Sequence, residues 1–480
     1  MISPLLTDLY QLTMAYGYWK LGIHEREAVF HQIFRKQPFR GNYSVACGLG
    51  SVIEFLQEWR FAEDDLSYLQ TLRAFNGSVL FSNEFLDYLR DLRFSCDIDA
   101  VLEGNIVFPH EPLLRVKGPL LQCQLLESTL LNIINFQTLI ATKAARVCQA
   151  CDGDPVLEFG MRRAQGPDGA LSASRAAYIG GCVATSNVLA GKRYGIPVSG
   201  THAHSWVSAF EDEITAFKAY AEVMPHNCVL LVDTYDTVQG VKHAIKIGEE
   251  LKAVGAELRA IRLDSGDLAV LSIKARELLD AAGFSQTKII ASNSLDEYVI
   301  AELKQQNAQI SVWGVGTHLS TAYDHPALDG VYKLSALRDA ENKWQYKLKL
   351  SEQAVKVSNP GIHQVRRFYR NKQPIMDVIY DLELGMAAQL EWVSLEVPHT
   401  TFRVESYDEA VDLLQPIFRA GQLVYPIETI ETIRLRAIQQ VKEFLPTHKM
   451  APYSVGLESG LHQLKQELIA EVASANNKIL

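Results

Sequence analysis

The sequence predicts an α/β fold whose strands are parallel and joined by crossover helices. In the middle of the chain, short apolar runs end in polar or glycine-rich tips, and helical patterns follow the tips. This alternation is typical of parallel strands arranged either in a barrel or in an open sheet. The polar side chains also follow the apolar runs instead of preceding them, so parallel strands would gather these side chains on one face.

The elements can be taken in order along the chain. Helical spacing of apolar residues covers 8–21 and 126–150, and 28–36 and 98–109 read as strands. Six strand-and-tip segments follow: VLEFGMRRAQGPDG, IPVSGTHAHS, CVLLVDTYD, LRAIRLDSGD, KIIASNS and ISVWGVGTH. Helices are predicted among them at 176–194, 237–255, 268–282 and 295–306. Residues 330–334 allow a seventh strand, and a looser segment with a helical C-terminus begins near residue 345.

The composition limits the partners of the chain. Its 480 residues suffice for two or three domains, and the net charge of −10 gives no reason to expect nucleic acid. The seven cysteines include Cys148 and Cys151 at CxxC spacing. These two lie in a helical run without a second pair, so we expect reduced thiols and no zinc site. A signal peptide and a long apolar span are both lacking, so we expect a cytoplasmic protein with no membrane partner.

Polar residues at the strand ends make up the candidate site. Because α/β barrels carry their active sites at the carboxyl ends of the strands, we expect the separate tips to form one site. Its members are Glu158, Arg162, His204, Asp233, Asp264, Asn293 and Thr317.

The stretch GTHAHS places two histidines one residue apart, so His202 and His204 can face the same way in an extended segment. They are a pair of metal ligands, one catalytic residue with a neighbour, or two loop histidines. A strand-ending HxH is also the first ligand pair of metal-dependent amidohydrolases, which need further ligands at later strand ends. Among those ends only His318 is another histidine, so zinc hydrolysis is disfavoured and no metal ligand is predicted.

Three tips are suited to anions. Arg162 follows a strand, where a forked guanidinium binds carboxylate or phosphate unless it is paired with Glu158. The glycines of GVGTH let backbone amides approach an anion, or they form a plain tight turn. Ser294 and Glu297 fit a capping box, and the helix start would present N–H groups beside Ser292 and Asn293.

Two aspartates differ in their expected roles. In RLDSGDL, Asp267 is expected to cap a helix, which leaves Asp264 to bind ribose hydroxyls or a phosphate-bound Mg²⁺. Asp233 ends a buried strand, where a carboxylate needs a partner, and a histidine of the preceding strand is the natural one.

Eight motifs in order resemble those of the nicotinate phosphoribosyltransferases: TDLYQLTMAYGYW, EFGMRRAQGPDG, ATSNVLAG, GTHAHSWV, DTYD, RLDSGD, ASNSLDE and GVGTHL. A weaker likeness lies in KLSEQAVKVSNPG at 347–361. The resemblance implies an enzyme that joins nicotinate to 5-phosphoribosyl-1-pyrophosphate, with ATP hydrolysis coupled to the reaction, on the route to NAD. It implies an irregular α/β barrel, a second α+β domain built from the N- and C-terminal segments, and a homodimer with shared active sites.

We therefore place an N-terminal domain that lends a segment to the dimer partner at 1–135, the catalytic barrel at 136–345 and a C-terminal segment at 346–480. By resemblance, His204 is the histidine phosphorylated by ATP and Asp233 the acid that orients it. The pyridine ring would meet Phe159, Arg162 and Arg262, with Tyr10 lent by the neighbouring subunit. Residues matched to the phosphoribosyl group and its phosphates are Asp264, Ser292, Asn293, Gly314, Gly316 and Thr317.

Two further points follow from the resemblance. Ser186 stands where nicotinamide-using relatives carry an aspartate, which suits an acidic substrate, and Mg²⁺ is expected to arrive bound to the phosphorylated substrates. The chain departs from the family at PGIHQVRR, where His363 replaces a frequent lysine. The alternatives are a phosphoribosyltransferase of the same fold that uses nicotinamide or quinolinate, and a non-catalytic nicotinate-binding relative.

Overall fold

The computed structural model describes residues 3–350, 357–387, 391–395, 400–404, 406–444 and 453–476. The chain divides into two compact units. Unit 1 comprises Met1–Thr138, Ala327–Thr429 and Gln439–Leu480, and unit 2 comprises Leu139–Pro326 and Ile430–Ile438. Unit 2 holds a parallel sheet with crossover helices, and unit 1 is an α+β assembly of the two ends of the chain. The predicted fold class is confirmed.

Six parallel strands form the sheet of unit 2. Their order across the sheet is Ala184–Thr185, Val156–Glu158, Val312–Val315, Lys288–Ala291, Leu258–Leu263 and Cys228–Leu231. We call Cys228–Leu231 the edge strand. Five of the six strands match predicted apolar runs. Parallel strands that are buried on both faces have such continuous apolar sequences. Neighbouring strands end in register, as in the pairs Glu158 with Val315 and Ala291 with Leu263, so their tips meet at one edge.

The helices between the strands match the prediction in the second half of the sheet. They are Thr237–Ala253, Leu268–Ala281 and Glu297–Gln305. A further helix that was not predicted, Glu213–Val223, precedes the edge strand. The single helix predicted at 176–194 is wrong. The structure has two helices, Gly166–Ile179 and Val188–Tyr194, with the short strand Ala184–Thr185 between them. A glycine pair divides them: a Cβ on Gly180 would lie 2.4 Å from the carbonyl oxygen of Ala141, and Gly181 has a φ of +120°.

The prediction of a strand at 196–198 is also wrong. Val198 forms one parallel bridge with Thr185, and Pro197 between the apolar residues has no N–H for a ladder. The chain then runs along residues 199–203 to the short helix His204–Ser208.

The strand considered at 330–334 belongs to unit 1. Val331–Arg338 pairs antiparallel with Glu27–Ile33 from the start of the chain, so it does not extend the barrel. Unit 2 accordingly ends its main segment at Pro326, before the boundary placed at 345. The seven-stranded sheet has the order Trp344–Tyr346, Val331–Arg338, Glu27–Ile33, Leu114–Pro119, Asp97–Val101, Leu414–Arg419 and Gln422–Leu423.

Unit 1 contains a second, six-stranded sheet and several helices. Its strand order is Thr401–Arg403, Glu391–Ser394, Ser454–Glu458, Gln373–Asp381, His363–Arg370 and Glu409–Asp412. The principal helices are Leu9–Lys20, Leu49–Gln57, Glu63–Thr71, Asn83–Asp91, Leu120–Leu125 and Ser459–Asn476. The helices Glu127–Ala150 and Ile430–Phe444 contribute residues to both units. None of the helices described is long and apolar enough to span a membrane.

A buried ionic cluster lies in the core of unit 1. Arg367 and Asp377 are both fully buried, and Nη2 of the arginine is 2.6 Å from Oδ2 of the aspartate. Tyr453 donates its hydroxyl to Asp377 at 2.8 Å. The side chain of Glu111 is buried beside Asp377, and burial, together with the charge of Asp377, raises the pKa of Glu111 well above its ordinary value. The environment of Glu111 therefore shifts its equilibrium toward the protonated carboxyl.

Candidate functional site

The strand ends of unit 2 surround a pocket of about 330 Å³. Residues 200–204 form part of its wall, with Leu231 of the edge strand beside them. Six of the predicted site residues line the pocket: Phe159, Arg162, Ser186, His204, Arg262 and Asp264. These residues come from three strand ends and from the segment after residue 198, and they are far apart in sequence, so the separate tips meet at one pocket for these six residues.

Arg262 connects three polar residues at the pocket by hydrogen bonds. Its Nε donates to Ser292 Oγ at 2.8 Å, Nη1 to Thr201 Oγ1 at 3.1 Å and Nη2 to Asp264 Oδ1 at 3.0 Å. A guanidinium has five N–H donors. Two of them, one on each terminal nitrogen, have no acceptor in the described part of the chain. Arg262 can therefore still bind an anionic group from the pocket.

Phe159 packs against Gly314, which has no side chain to block the aromatic ring. Its backbone N–H donates to Val315 O at 2.8 Å, and the guanidinium of Arg262 lies 5.6 Å from the centre of its ring. A Cβ on Gly314 would lie 2.8 Å from that ring. The glycine predicted to approach an anion thus also makes room for the aromatic side chain.

Glu158 is not the partner of Arg162. The carboxylate is buried and accepts hydrogen bonds from Ser174 Oγ at 2.8 Å, Thr185 Oγ1 at 2.6 Å and the backbone N–H of Gly160. Arg162 is exposed in a short 3₁₀ turn, Met161–Arg163, and forms no ion pair with the residues that the structure describes. The ion-pair alternative is therefore excluded, and the guanidinium is available to a ligand.

His204 begins the helix His204–Ser208 and is partly exposed to the pocket. Its Nδ1 lies 3.1 Å from Thr234 Oγ1, and its Nε2 lies 3.7 Å from Asp264 Oδ2. The predicted hydrogen bond from His204 to Asp233 is wrong. Thr234, one residue further along DTYD, is the residue that sequence reasoning missed. Both residues follow the end of the edge strand, where the local path of the chain decides which side chain faces the histidine.

Asp233 is buried and is hydrogen-bonded to the tip of the neighbouring strand instead of to His204. Its Oδ2 accepts the backbone N–H of Asp264 and the hydroxyl of Ser265, each at 2.7 Å. Its Oδ1 is buried and has no hydrogen-bond partner among the residues described. A buried carboxylate oxygen without a donor is costly unless a cation or a ligand donor reaches it.

Both ring nitrogens of His202 are occupied. Nε2 accepts the backbone N–H of Leu231 at 3.1 Å, and Nδ1 lies 3.3 Å from the carbonyl oxygen of Ala203. Burial lowers the pKa of His202, and Arg262 and His204 add to this effect. A neutral ring with both nitrogens bonded cannot pair with His204 as a metal ligand. In the described ranges no group of three or more His, Cys, Asp or Glu side chains is placed to hold a metal ion.

Capping at the next two tips agrees with the prediction at one and not at the other. Asp267 caps Leu268–Ala281 by accepting the N–H of Val270 at 3.1 Å, as expected. The capping box of Ser294 and Glu297 is wrong. Asp296 caps Glu297–Gln305 through the N–H groups of Tyr298 and Val299, because Asn293 and Ser294 have positive φ and delay the helix start. Glu297 is buried and paired with Lys143 at 2.6 Å and with Arg146 at 2.9 Å.

The residues assigned to the phosphoribosyl group lie along the same sheet edge. Ser292 is buried and donates its hydroxyl to the carboxylate of Asp264. Asn293 is exposed at the next position, Gly316 precedes the short helix Thr317–Ser320, and Gly314 lies in Val312–Val315. Asn293, Gly316 and Thr317 follow strands adjacent to those that carry Arg262 and Phe159.

Two of the residues discussed lie in unit 1. Tyr10 is in the helix Leu9–Lys20, half exposed, with its hydroxyl 3.4 Å from Glu127 Oε1. His363 is buried, stacks on His31 with ring centres 4.2 Å apart, and its Nε2 lies 2.7 Å from Pro360 O. Burial lowers its pKa to about 4, so it is uncharged at neutral pH. The weaker motif at 347–361 includes residues 351–356, which lie outside the described residues.

Comparison with known proteins covers almost the whole chain. Models of the nicotinate phosphoribosyltransferase N-terminal domain, family and C-terminal domain match residues 5–135, 155–352 and 362–465. The chain is similar to nicotinate phosphoribosyltransferase of Bacillus subtilis, with 44% identity over 483 residues, 98% of this chain and 95% of that protein. The Caenorhabditis elegans protein of that name is 34% identical, over 98% and 93% of the two chains.

A solved structure agrees. The crystal structure of human nicotinic acid phosphoribosyltransferase superposes with a TM-score of 0.84 at 31% identity and covers 96% of this chain and 99% of that chain. The similarity therefore includes both units and the whole order of motifs.

Proposed function

The chain belongs to the nicotinate phosphoribosyltransferase family, and we propose that the pocket of unit 2 is where it carries out that family's reaction. The protein is an enzyme that joins nicotinate to 5-phosphoribosyl-1-pyrophosphate and releases nicotinate mononucleotide and pyrophosphate, a step of NAD biosynthesis. One observation carries the assignment to this pocket. Phe159, Ser186, Arg262 and His204, which come from distant parts of the sequence, line the same cavity.

The pocket suits an aromatic acid. The ring of Phe159 offers a face for stacking with a pyridine ring. Arg262 keeps two N–H donors on its terminal nitrogens, which match the two oxygens of a carboxylate. Ser186 is neutral, so no carboxylate at this position repels the anionic substrate. These three side chains favour nicotinate over its amide.

The reaction forms a bond between the pyridine nitrogen and C1 of the ribose while the bond from C1 to pyrophosphate breaks. Positive charge develops on C1 as the leaving group departs, and the ring nitrogen supplies the electron pair. Holding the two substrates in contact supplies a large part of the acceleration. Phe159 and Arg262 orient the ring, Asp264 is placed for the ribose hydroxyls, and Arg162 at the rim is available to pyrophosphate.

The carboxylates of the site fit a magnesium ion brought by the substrate. Mg²⁺ takes one or two carboxylates and keeps waters and phosphate oxygens as its other ligands. Asp233, with a buried Oδ1 that lacks a donor in the described structure, and Asp264 are the residues that would hold it. When bound, the ion neutralises charge on the pyrophosphate.

We assign ATP coupling to His204. An uncharged imidazole nitrogen attacks the γ-phosphorus of ATP, an N–P bond forms, and ADP leaves; water later hydrolyses the phosphohistidine to phosphate. Thr234 Oγ1 is placed to accept the Nδ1–H. That tautomer leaves the lone pair of Nε2, on the pocket side of the ring, as the nucleophile.

The assembly proposed is a cytoplasmic homodimer with shared sites, in which Tyr10 of each subunit stacks on the ring bound by the other. A reducing compartment agrees with the seven free cysteines of the structure. The exposed position of Tyr10 within its own unit agrees with a role toward a second copy.

Pyrophosphate release from 5-phosphoribosyl-1-pyrophosphate tests the activity. Release is expected with nicotinate, faster with ATP, and not with nicotinamide or quinolinate. A non-catalytic binder would release none with any ring, and turnover of nicotinamide at a similar rate would reject the acid pocket.

Substitution of Arg262 tests the pocket itself. Arg262→Ala is expected to cost nicotinate about 2–4 kcal/mol of transition-state binding, because a buried carboxylate loses its partner. The KM for 5-phosphoribosyl-1-pyrophosphate should change less, and Arg262→Lys should restore part of the loss. Equal losses for both substrates would move Arg262 to the phosphate side.

A further inference from the structure

The edge strand of unit 2 has a backbone donor that faces away from the sheet. The N–H of Val232 donates to Arg262 O on the neighbouring strand at 3.2 Å. Alternate residues of a strand direct their N–H groups to opposite sides. The N–H of Leu231 therefore faces the open side, where no further strand of the sheet follows in the described structure.

The side chain of His202 accepts the hydrogen bond that a further strand would accept at this edge. Its Nε2 accepts the Leu231 N–H at 3.1 Å, and its ring is 7% exposed. Tyr220 lies edge-on against the ring with centres 4.8 Å apart, and Phe217 is 6.2 Å away. The contact to Ala203 O places the proton on Nδ1, so Nε2 is the acceptor.

The two histidines of GTHAHS contact the same strand end. His202 binds at Leu231, and His204 contacts Thr234 three residues further along. A further polar attachment of residues 200–204 to the strand ends is the hydrogen bond that Arg262 Nη1 donates to Thr201 Oγ1. Arg262 also faces the substrate, whereas His202 bonds a backbone N–H of the edge strand.

We propose that His202 is a positioning residue that docks residues 200–204 on the open edge of the sheet and so directs the ring of His204 into the pocket. The histidine does not touch the reacting atoms. It acts through the Leu231 hydrogen bond, and its effect on catalysis rests on the role proposed above for His204.

Three substitutions separate this hydrogen bond from packing. In His202→Gln, Oε1 stands the same number of bonds from Cα as Nε2 and keeps an acceptor for Leu231. In His202→Asn the acceptor matches the position of Nδ1 and falls short, and His202→Leu fills space without an acceptor. We expect the Leu and Asn variants to transfer phosphate from ATP to His204 about 10- to 100-fold more slowly, the scale of a misplaced reacting group. The Gln variant should stay within about fivefold of the wild type.

Two measurements distinguish positioning from loss of structure. Hydrogen exchange of the Leu231 amide should accelerate in the Leu and Asn variants and not in the Gln variant, while amides of Leu258–Leu263 keep their protection. The KM for 5-phosphoribosyl-1-pyrophosphate should change little while kcat falls. If the Leu variant does not fold, the comparison of Gln with Asn decides.

Each outcome bears on the proposal. A Leu231 amide equally protected in all variants, or a Gln variant as slow as the Leu variant, would overturn it. If the wild type takes no label from ATP, the proposed chemistry of His204 fails. The exchange of Leu231 and the kcat for nicotinate still test the positioning role in that case, and unchanged values in the Asn variant would overturn that too.

Discussion

A single hydroxyl group, that of Thr234, is the hydrogen-bond partner of His204 Nδ1. Thr234 Oγ1 occupies Nδ1, so Nε2 is left on the side of Asp264 and the pocket. The residue expected to do this from sequence was Asp233, whose carboxylate instead bonds the tip of the neighbouring strand. Unlike a carboxylate, a neutral hydroxyl adds no negative charge beside the ring of His204.

Thr234→Val keeps the shape of the side chain and removes its hydrogen bond. Loss of a net hydrogen bond of about 1 kcal/mol should slow phosphorylation of His204 by about fivefold. Single-turnover transfer from γ-labelled ATP measures this, and Thr234→Ser, which retains the hydroxyl, should stay near the wild-type rate. An unchanged rate in the Val variant would show that Nδ1 needs no partner.

At the scale of strands and helices, the sequence predicts what is local and misses what depends on distant pairing. The buried strands, the strand-end site and the Asp267 cap are encoded by short apolar runs and single polar residues. Local sequence also favours a strand at 196–198, a barrel strand at 330–334 and a capping box of Ser294 and Glu297. The 196–198 segment contains Pro197 and forms only an isolated bridge with Thr185 in the described structure. The strand at 330–334 pairs with residues 27–33 in unit 1, and Glu297 pairs with Lys143 instead of closing a capping box.

The strand Val312–Val315 offers a test at this scale. In Gly314→Ala the new methyl group would lie 2.8 Å from the ring of Phe159 and displace it, at a cost of about 1–3 kcal/mol. We expect a higher KM for nicotinate with unchanged labelling of His204. Gly169→Ala, where nothing lies within 4 Å of the new atom, should leave KM unchanged. A normal KM in the Gly314 variant would remove Phe159 from the ring site.

At the scale of the whole molecule, the core of unit 1 joins parts of the chain that are far apart in sequence. Glu111 comes from the N-terminal segment, whereas Arg367, Asp377 and Tyr453 come from the C-terminal segments. The guanidinium of Arg367 lies among the rings of Phe108, Phe444 and Tyr453, 4.9–5.9 Å from their centres. The charge of Asp377 and the burial of the side chain together raise the pKa of Glu111.

This arrangement predicts that stability falls toward alkaline pH. The folded state raises the pKa of Glu111 above its unfolded value of about 4.3. Its contribution is therefore complete below that pH and is lost as pH rises through the raised pKa. Thermal unfolding from pH 5 to 9 should show a smaller decrease in Tm for Glu111→Gln than for the wild type. The exposed Glu302→Gln should behave like the wild type, and identical curves for all three would show that folding does not raise the pKa of Glu111.

The shared-site dimer is tested by complementation. Tyr10→Ala and His204→Ala should each be nearly inactive, because each removes one subunit's contribution. After subunit exchange at equal mixing, heterodimers carry one intact site, so about a quarter of the wild-type activity should return. Purified heterodimers without activity would show that Tyr10 acts within its own subunit or has no role.

The antiparallel pairing of Glu27–Ile33 with Val331–Arg338 also governs how the protein is made. The first strand leaves the ribosome about 300 residues before its partner is synthesised. At about 5–20 residues per second, the wait is about 15–60 s. During that time one side of the strand Glu27–Ile33 has no partner from this sheet, and unpaired backbone groups are a template for contact with other nascent chains. The main segment of unit 2 is contiguous from residue 139 to residue 326, so the catalytic half can form during translation while the other half waits for the end of the chain.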